Sequence, residues 1–161
     1  MDAVYTYINV LIDTLNKKKS VLEQIYSATG QQKILLQQVN FDEEKFQETL
    51  ELKEKLLKEL EKLDNGFEQI YERVALALKH NKDLYKEEII TAQKLIQEIM
   101  DLNVSIRAFE EQNKQRFPAC MTAKRSKIKN FKVSNRAATN YYKNMPNVHQ
   151  TGKSYFMDEK K

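Results

Sequence analysis

The sequence predicts an all-α fold: an elongated antiparallel three-helix bundle or coiled coil, followed by a disordered or partly helical basic C-terminal tail. Three observations predict it. Over the first 117 positions apolar residues recur at alternating steps of four and three, a mean period of 3.5, which is the spacing of a coiled-coil seam. Helix breakers are scarce, with 3 Gly and 2 Pro among 161 residues, while 31% of the residues are charged; such a composition is typical of helical bundles. Charge also divides the chain, because residues 1–117 hold 17 Lys/Arg against 21 Asp/Glu and residues 118–161 hold 10 against 2. An acidic body, 1–117, and a basic tail, 118–161, follow from that split.

The first helix is expected at about 3–38. Its seam runs Val4, Ile8, Leu11, Leu15, Lys18, Leu22, Ile25, Thr29, Gln32, Leu36 and Val39. Gly30 interrupts it at a cost of about 1 kcal/mol relative to Ala if the helix continues. The apolar run Ile34, Leu35, Leu36 favours continuation. Asn40, with Glu43 three residues on, reads as an N-cap and capping box, and Asp42, Glu43 and Glu44 suit the positive end of a helix dipole.

The second helix is expected at about 41–79, with Phe46, Leu50, Lys53, Leu57, Leu60, Asp64, Phe67, Tyr71, Val74 and Leu78 in its seam. The 38 residues from Phe41 to Leu78 would be roughly 57 Å long as a helix, and a helix of that length with an exposed seam is not stable alone. Both neighbours are expected to pack on it, as the central member of the bundle. Asp64-Asn65-Gly66 is a turn signal, but the register passes through it, which predicts a continuous helix with a weak point at Gly66. Asn81 is expected to close the helix in the left-handed conformation. The third helix, about 83–117, carries Tyr85, Ile89, Ala92, Ile96, Ile99, Asn103, Ile106 and Glu110 and is expected to stop at Phe117-Pro118.

The tail has no continuous apolar face, so it is not expected to offset its ordering entropy when free. Apolar islands interrupt its basic residues, and Ala138, Tyr141, Tyr142 and Met145 would share one helical face. The segment 131–145 is therefore a candidate docking segment that folds on binding.

Catalysis finds little support. His80 and His149 lack partners at metal-ligand spacing, and no Gly-rich phosphate loop is present. Cys120 has no evident base nearby, and the Glu/Lys pairs read as solvated helix faces. The expectation is a protein that is not an enzyme, with no cofactor and no metal. One cysteine and no signal-peptide pattern place it in the cytoplasm. Lys53 and Asn103 are polar slots in apolar seams and read as register-fixing positions, or as lining of a groove that a partner helix enters. The tail cluster Lys124, Arg125, Lys127, Lys129, Lys132 and Arg136 admits three readings: phosphate binding, solubility, or electrostatic steering of a docking motif.

The centre KEKLLKELEKLDNGFEQIYERV, the third-helix segment IRAFEEQNK and the tail segment FKVSNRAATNYYKNM resemble the FlgN-like flagellar export chaperones, in a form like that of clostridial bacteria. The resemblance covers most of the chain. It implies a cytoplasmic chaperone of the flagellar type III secretion system that binds the helical terminal segments of hook–filament junction proteins and delivers them to the export gate. It also implies docking on the cytoplasmic domain of the gate's membrane protein through the C-terminal region, with Phe131, Tyr141, Tyr142 and Met145 as candidates. Apolar residues beside the seams, Leu52, Leu56, Leu63, Ile70, Leu95 and Phe109, are candidates for a groove that takes the substrate helix. No nucleic acid and no membrane insertion are expected, and spare apolar surface leaves room for a homodimer. The rival reading is a structural coiled-coil protein whose basic tail binds nucleic acid or an anionic membrane surface.

Overall fold

The computed structural model describes residues 3–123. In chain order these form α1 (Ala3–Gln37), α2 (Glu43–Leu78), a single 3-10 turn (Lys82–Tyr85) and α3 (Lys86–Ala123). No strand occurs among the described residues, and no helix there is long and apolar enough to cross a membrane. α1 runs antiparallel to α2, since Lys18 meets Asp64 and Gln32 meets Thr49. It runs parallel to α3, since Lys19 meets Glu98, Thr29 meets Glu110 and Leu36 meets Cys120. The result is the expected three-helix bundle, in up-down-up order. Phe131, Tyr141, Tyr142 and Met145 lie outside the described residues, as does the rest of the tail beyond Ala123.

The central helix is α1, which corrects the expectation that α2 would be. α1 packs along both α2 and α3, whereas the backbones of α2 and α3 seldom approach as closely. The sequence of α1 explains this. It buries adjacent pairs, Val21/Leu22, Ala28/Thr29 and Leu35/Leu36. Neighbouring residues point about 100° apart on a helix, so burying both members requires cover on two sides.

α1 continues through Gly30 and α2 through Gly66. A Cβ on Gly30 would lie 3.7 Å from a Phe109 ring carbon, ordinary contact, and one on Gly66 would meet nothing within 4 Å. Gly30→Ala and Gly66→Ala are therefore each expected to raise stability by about 0.5–1 kcal/mol, read by thermal or urea unfolding.

Three element ends differ from the expectations. α2 begins at Glu43 with Asp42, not Asn40, as its N-cap; the Asp42 carboxylate accepts from the Lys45 N–H at 3.1 Å. Phe41 sets this position. It is 4% exposed and meets Phe46 edge-on at 5.3 Å, so residues either side of the cap clasp it as a hydrophobic staple. After α2, Asn81 has φ −131° and is not left-handed. Bonds from Lys79 N to Leu76 O, Asn81 N to Leu78 O and Leu84 N to Asn81 O turn the chain in short right-handed steps instead. α3 then passes through Pro118 to Ala123. Proline has no N–H to give the carbonyl of Lys114, but both residues are exposed, where water can take that role. What holds the extra turns is packing: Phe117 is buried, Cys120 and Met121 pack beside it, and the Cys120 thiol donates to the Leu36 carbonyl at 3.3 Å.

Candidate functional site

Buried side chains form two apolar clusters. The larger runs from Ile8 to Ile25 on α1, Leu56 to Leu78 on α2, Tyr85 in the 3-10 turn and Ala92 to Ile106 on α3. The smaller joins Leu35, Leu36, Phe41, Phe46, Leu50 and Phe117. Between them lies a polar layer to which each helix gives two residues: Thr29 and Gln32, Thr49 and Lys53, Glu110 and Asn113, all buried.

The layer is built around Lys53, whose exposure is 0%. Its ammonium donates to Gln32 Oε1 at 2.6 Å and to Glu110 Oε1. Gln32 Nε2 donates to Thr49 Oγ1 at 3.0 Å, and that hydroxyl donates to the Phe46 carbonyl at 2.6 Å. The Thr29 hydroxyl lies 2.6 Å from the Ile25 carbonyl and 3.1 Å from Glu110 Oε1. Asn113 Nδ2 donates to the Thr29 carbonyl at 3.1 Å. A second charged pair sits in the larger cluster, where Lys18 Nζ meets Asp64 Oδ1 at 2.6 Å. Burial raises the Asp64 carboxyl above the ordinary range, more than Lys18 lowers it.

Burial also pushes the Lys53 ammonium down to about 8, against the pull of Glu110. Between that value and the ordinary one near 10.5 the unfolded chain holds a proton that the folded chain has lost. Stability therefore rises with pH through this window. From pH 7.5 to 10 the unfolding free energy of the native chain is expected to rise relative to Lys53→Met by on the order of 1–3 kcal/mol. Urea unfolding at a series of pH values measures it, and a constant difference between the two proteins would refute the assignment.

A fully enclosed ammonium cannot meet a substrate, so the layer acts within the fold. The facing lines of α2 and α3 show how. Lys53 meets Glu110, and one heptad away Phe46 stacks on Phe117 at 5.3 Å. Sliding α2 by seven residues would bring Lys53 against Phe117 or Asn103 and leave a buried charge unpaired. Such polar positions fix register. Among the described residues, no three His, Cys, Asp or Glu side chains come together as a metal site. His80 is exposed, and Cys120 is half-buried.

The six groove candidates do not line one groove. Leu56 and Leu95 are 3% and 8% exposed, consumed by the core. Leu63 and Ile70 are half-buried against the same cluster, and Leu52 is 45% exposed. Thr49, Leu56, Leu63 and Ile70 recur every seven residues on the flank of α2 that meets α1, as the Thr49–Gln32 bond shows. Phe109 lies on the α1 side of α3, stacked on Tyr26 at 5.2 Å with Lys33 Nζ 4.8 Å from its ring centre. The apolar surplus beside the seams thus covers the second stripe of α1.

The wider seam is that between α2 and α3. Leu57 and Tyr71 on α2 and Ile89 and Met100 on α3 are half-buried against the larger cluster. Continuing the Lys53–Glu110 register by one heptad sets Asn103 opposite Leu60. The Asn103 carbonyl oxygen is buried and has no donor among the described residues, and groups of this kind call for an explanation. Comparison with family models, with curated proteins and with solved structures finds no match for this chain.

Proposed function

We propose that this chain is a cytoplasmic, non-enzymatic export chaperone of the flagellar type III system. It takes a helical terminal segment of a hook–filament junction protein into the α2–α3 seam and delivers it to the cytoplasmic domain of the export gate. The observation that carries this is the seam itself. The backbones of α2 and α3 approach each other less often than either approaches α1, and both helices keep half-buried apolar side chains, Leu57 and Tyr71 on α2 and Ile89 and Met100 on α3. An amphipathic helix with apolar residues at i, i+3, i+4 and i+7 is the kind of ligand such a pair of helices takes. The resemblance in the helical hairpin and the tail supplies the export setting.

Isothermal calorimetry with C-terminal peptides of hook–filament junction proteins tests the reading. Binding at tens of micromolar or tighter is expected, weakened at least tenfold by Leu57→Glu. Absence of binding to any late flagellar substrate sinks it. The competing reading, in which the basic tail holds nucleic acid or an anionic membrane, rests on the 10 Lys/Arg of residues 118–161. It requires affinity for those polyanions that falls steeply with salt.

A further inference from the structure

Charge is distributed unevenly over the three helices. Of the eleven residues that α2 exposes between Glu44 and Lys62, all but Leu52 are charged; of the nine that α1 exposes between Ser20 and Gln38, only Glu23 is. Ser20, Gln24, Ser27, Gln31, Ile34 and Gln38 recur at steps of four and three and so form one line along α1. Ile34, 59% exposed, is the large apolar side chain of that line. α3 carries a matching exposed and uncharged line, Ser105, Ala108, Gln112, Gln115 and Ala119, off which Arg107, Glu111 and Lys114 fall.

The two lines lie side by side. The Thr29–Glu110 and Leu36–Cys120 contacts set α1 and α3 in register. At their junction Phe109 stacks on Tyr26 and approaches Gly30; Phe109 follows Ser105 by one turn, and Gly30 falls between Ser27 and Ile34. The inner side of this junction is the buried layer of Thr29 and Glu110, so both lines face outward. Four charges border the face, and they are sorted by sign. Glu23 and Asp101 stand near the level of the Lys19–Glu98 pair, Lys33 and Arg116 near the level of the Leu36–Cys120 contact. None of the four is in an ion pair with another described residue; Lys33 Nζ lies 4.8 Å from the Phe109 ring centre instead.

Depletion of charge at the centre is the composition of an interface core, and the sign-sorted ends say what covers it. A parallel copy of this face would set acid against acid and base against base, whereas an antiparallel copy sets each against its opposite. We infer that two copies of this chain associate through the α1–α3 face, antiparallel about a two-fold axis at the level of Ser27, with Glu23 and Asp101 of each copy against Lys33 and Arg116 of the other. One axis serves both pairs. Ser27 lies close to midway between Glu23 and Lys33, Ala108 close to midway between Asp101 and Arg116, and the Thr29–Glu110 register puts Ser27 beside Ala108. The small side chains of these two residues let the copies approach. The face is two helices wide, about 20 Å, and roughly 28 Å long over residues 20–38; with side-chain relief this approaches the roughly 800 Å² per partner of a standard interface. A two-fold contact closes on itself, so assembly stops at a dimer. The inference uses neither α2 nor the export reading.

Sedimentation equilibrium of the full chain in reductant, which keeps Cys120 from forming a disulfide, tests it. A monomer–dimer equilibrium in the micromolar range is expected. The acidic-faced variant Lys33→Glu/Arg116→Glu and the basic-faced variant Glu23→Lys/Asp101→Lys are each expected to dimerise at least tenfold more weakly, because every opposite-charge contact across the axis becomes repulsive. An equimolar mixture of the two variants is expected to recover the native affinity, whereas Glu54→Lys/Glu61→Lys on α2 leaves it unchanged. Circular dichroism checks each fold; where a double variant fails to fold, the exposed single substitutions Arg116→Glu and Asp101→Lys take its place. Four results overturn the inference: a monomer at every concentration into the millimolar range, which leaves the face to a different occupant; a dimer indifferent to the reversals; variants whose mixture does not reassociate; and a dimer that the α2 substitutions weaken as much.

Discussion

Glu110→Ala is expected to destabilise the bundle by about 3–5 kcal/mol, the cost of leaving a buried charge without its partner. Lys53 is fully enclosed and draws its hydrogen bonds from Gln32 and Glu110. Removing the carboxylate leaves an ammonium with an amide acceptor and no counter-charge. The double substitution Lys53→Met/Glu110→Leu is expected to recover most of that loss and to come within about 1 kcal/mol of the native chain, or above it, because apolar replacement of a buried ion pair is often neutral or stabilising. Urea unfolding of the two variants and the native chain measures both. A double variant as unstable as Glu110→Ala would mean that the layer is needed for stability itself and not for register. If it is needed for register, the double variant should be stable yet show more than one helix alignment, visible as extra amide resonances.

Phe46→Ala is expected to cost about 3–5 kcal/mol, at the upper end for a core aromatic. Phe46 is 1% exposed, meets Phe41 edge-on and stacks on Phe117, each at 5.3 Å. One ring thus ties the first connector, α2 and the last turns of α3. The same geometry separates two truncations. Ending the chain after Arg116 deletes Phe117, Cys120 and Met121 from this cluster and is expected to cost a similar amount, whereas ending it after Ala123 leaves the described core intact. Thermal unfolding of the two truncated chains should differ by more than 10 °C on this account, since about 1 kcal/mol moves the midpoint of a domain of this size by several degrees.

Much of the fold was legible because heptad spacing is a one-dimensional signal. Ile8, Leu15 and Leu22 on α1, Phe46, Leu60 and Val74 on α2, and Ala92, Ile99 and Ile106 on α3 are buried where the period sets them. Helix ends were less legible because they depend on tertiary contacts. Phe41 moves the α2 cap to Asp42, and burial of Phe117 carries α3 past a proline that alone would end it. Asp64 was legible as a seam residue in a continuous helix, but its partner was not. Asn65 and Gly66 beside it do not turn the chain, and its carboxylate pairs with Lys18 of α1.

The polar layer was half visible. Thr29, Gln32, Lys53 and Glu110 all occupy seam positions, but only Lys53 was singled out as polar there, and only a three-dimensional register shows that the four meet. Thr49 and Asn113 lie off the strict seam and carried no such mark. The groove candidates failed to converge for a related reason. An apolar surplus on a helix tells that a second neighbour exists and not which one, and here α1 is that neighbour.

The central place of α1 has a consequence for biosynthesis. The helix that both others cover is the first to leave the ribosome, and α3, which covers its second stripe, is completed 86 residues later at Ala123. At translation rates of about 5–20 residues per second, α1 waits roughly 4–17 s for full cover. During that interval the apolar stripe of Val21, Leu22, Leu35 and Leu36 is open to general folding chaperones.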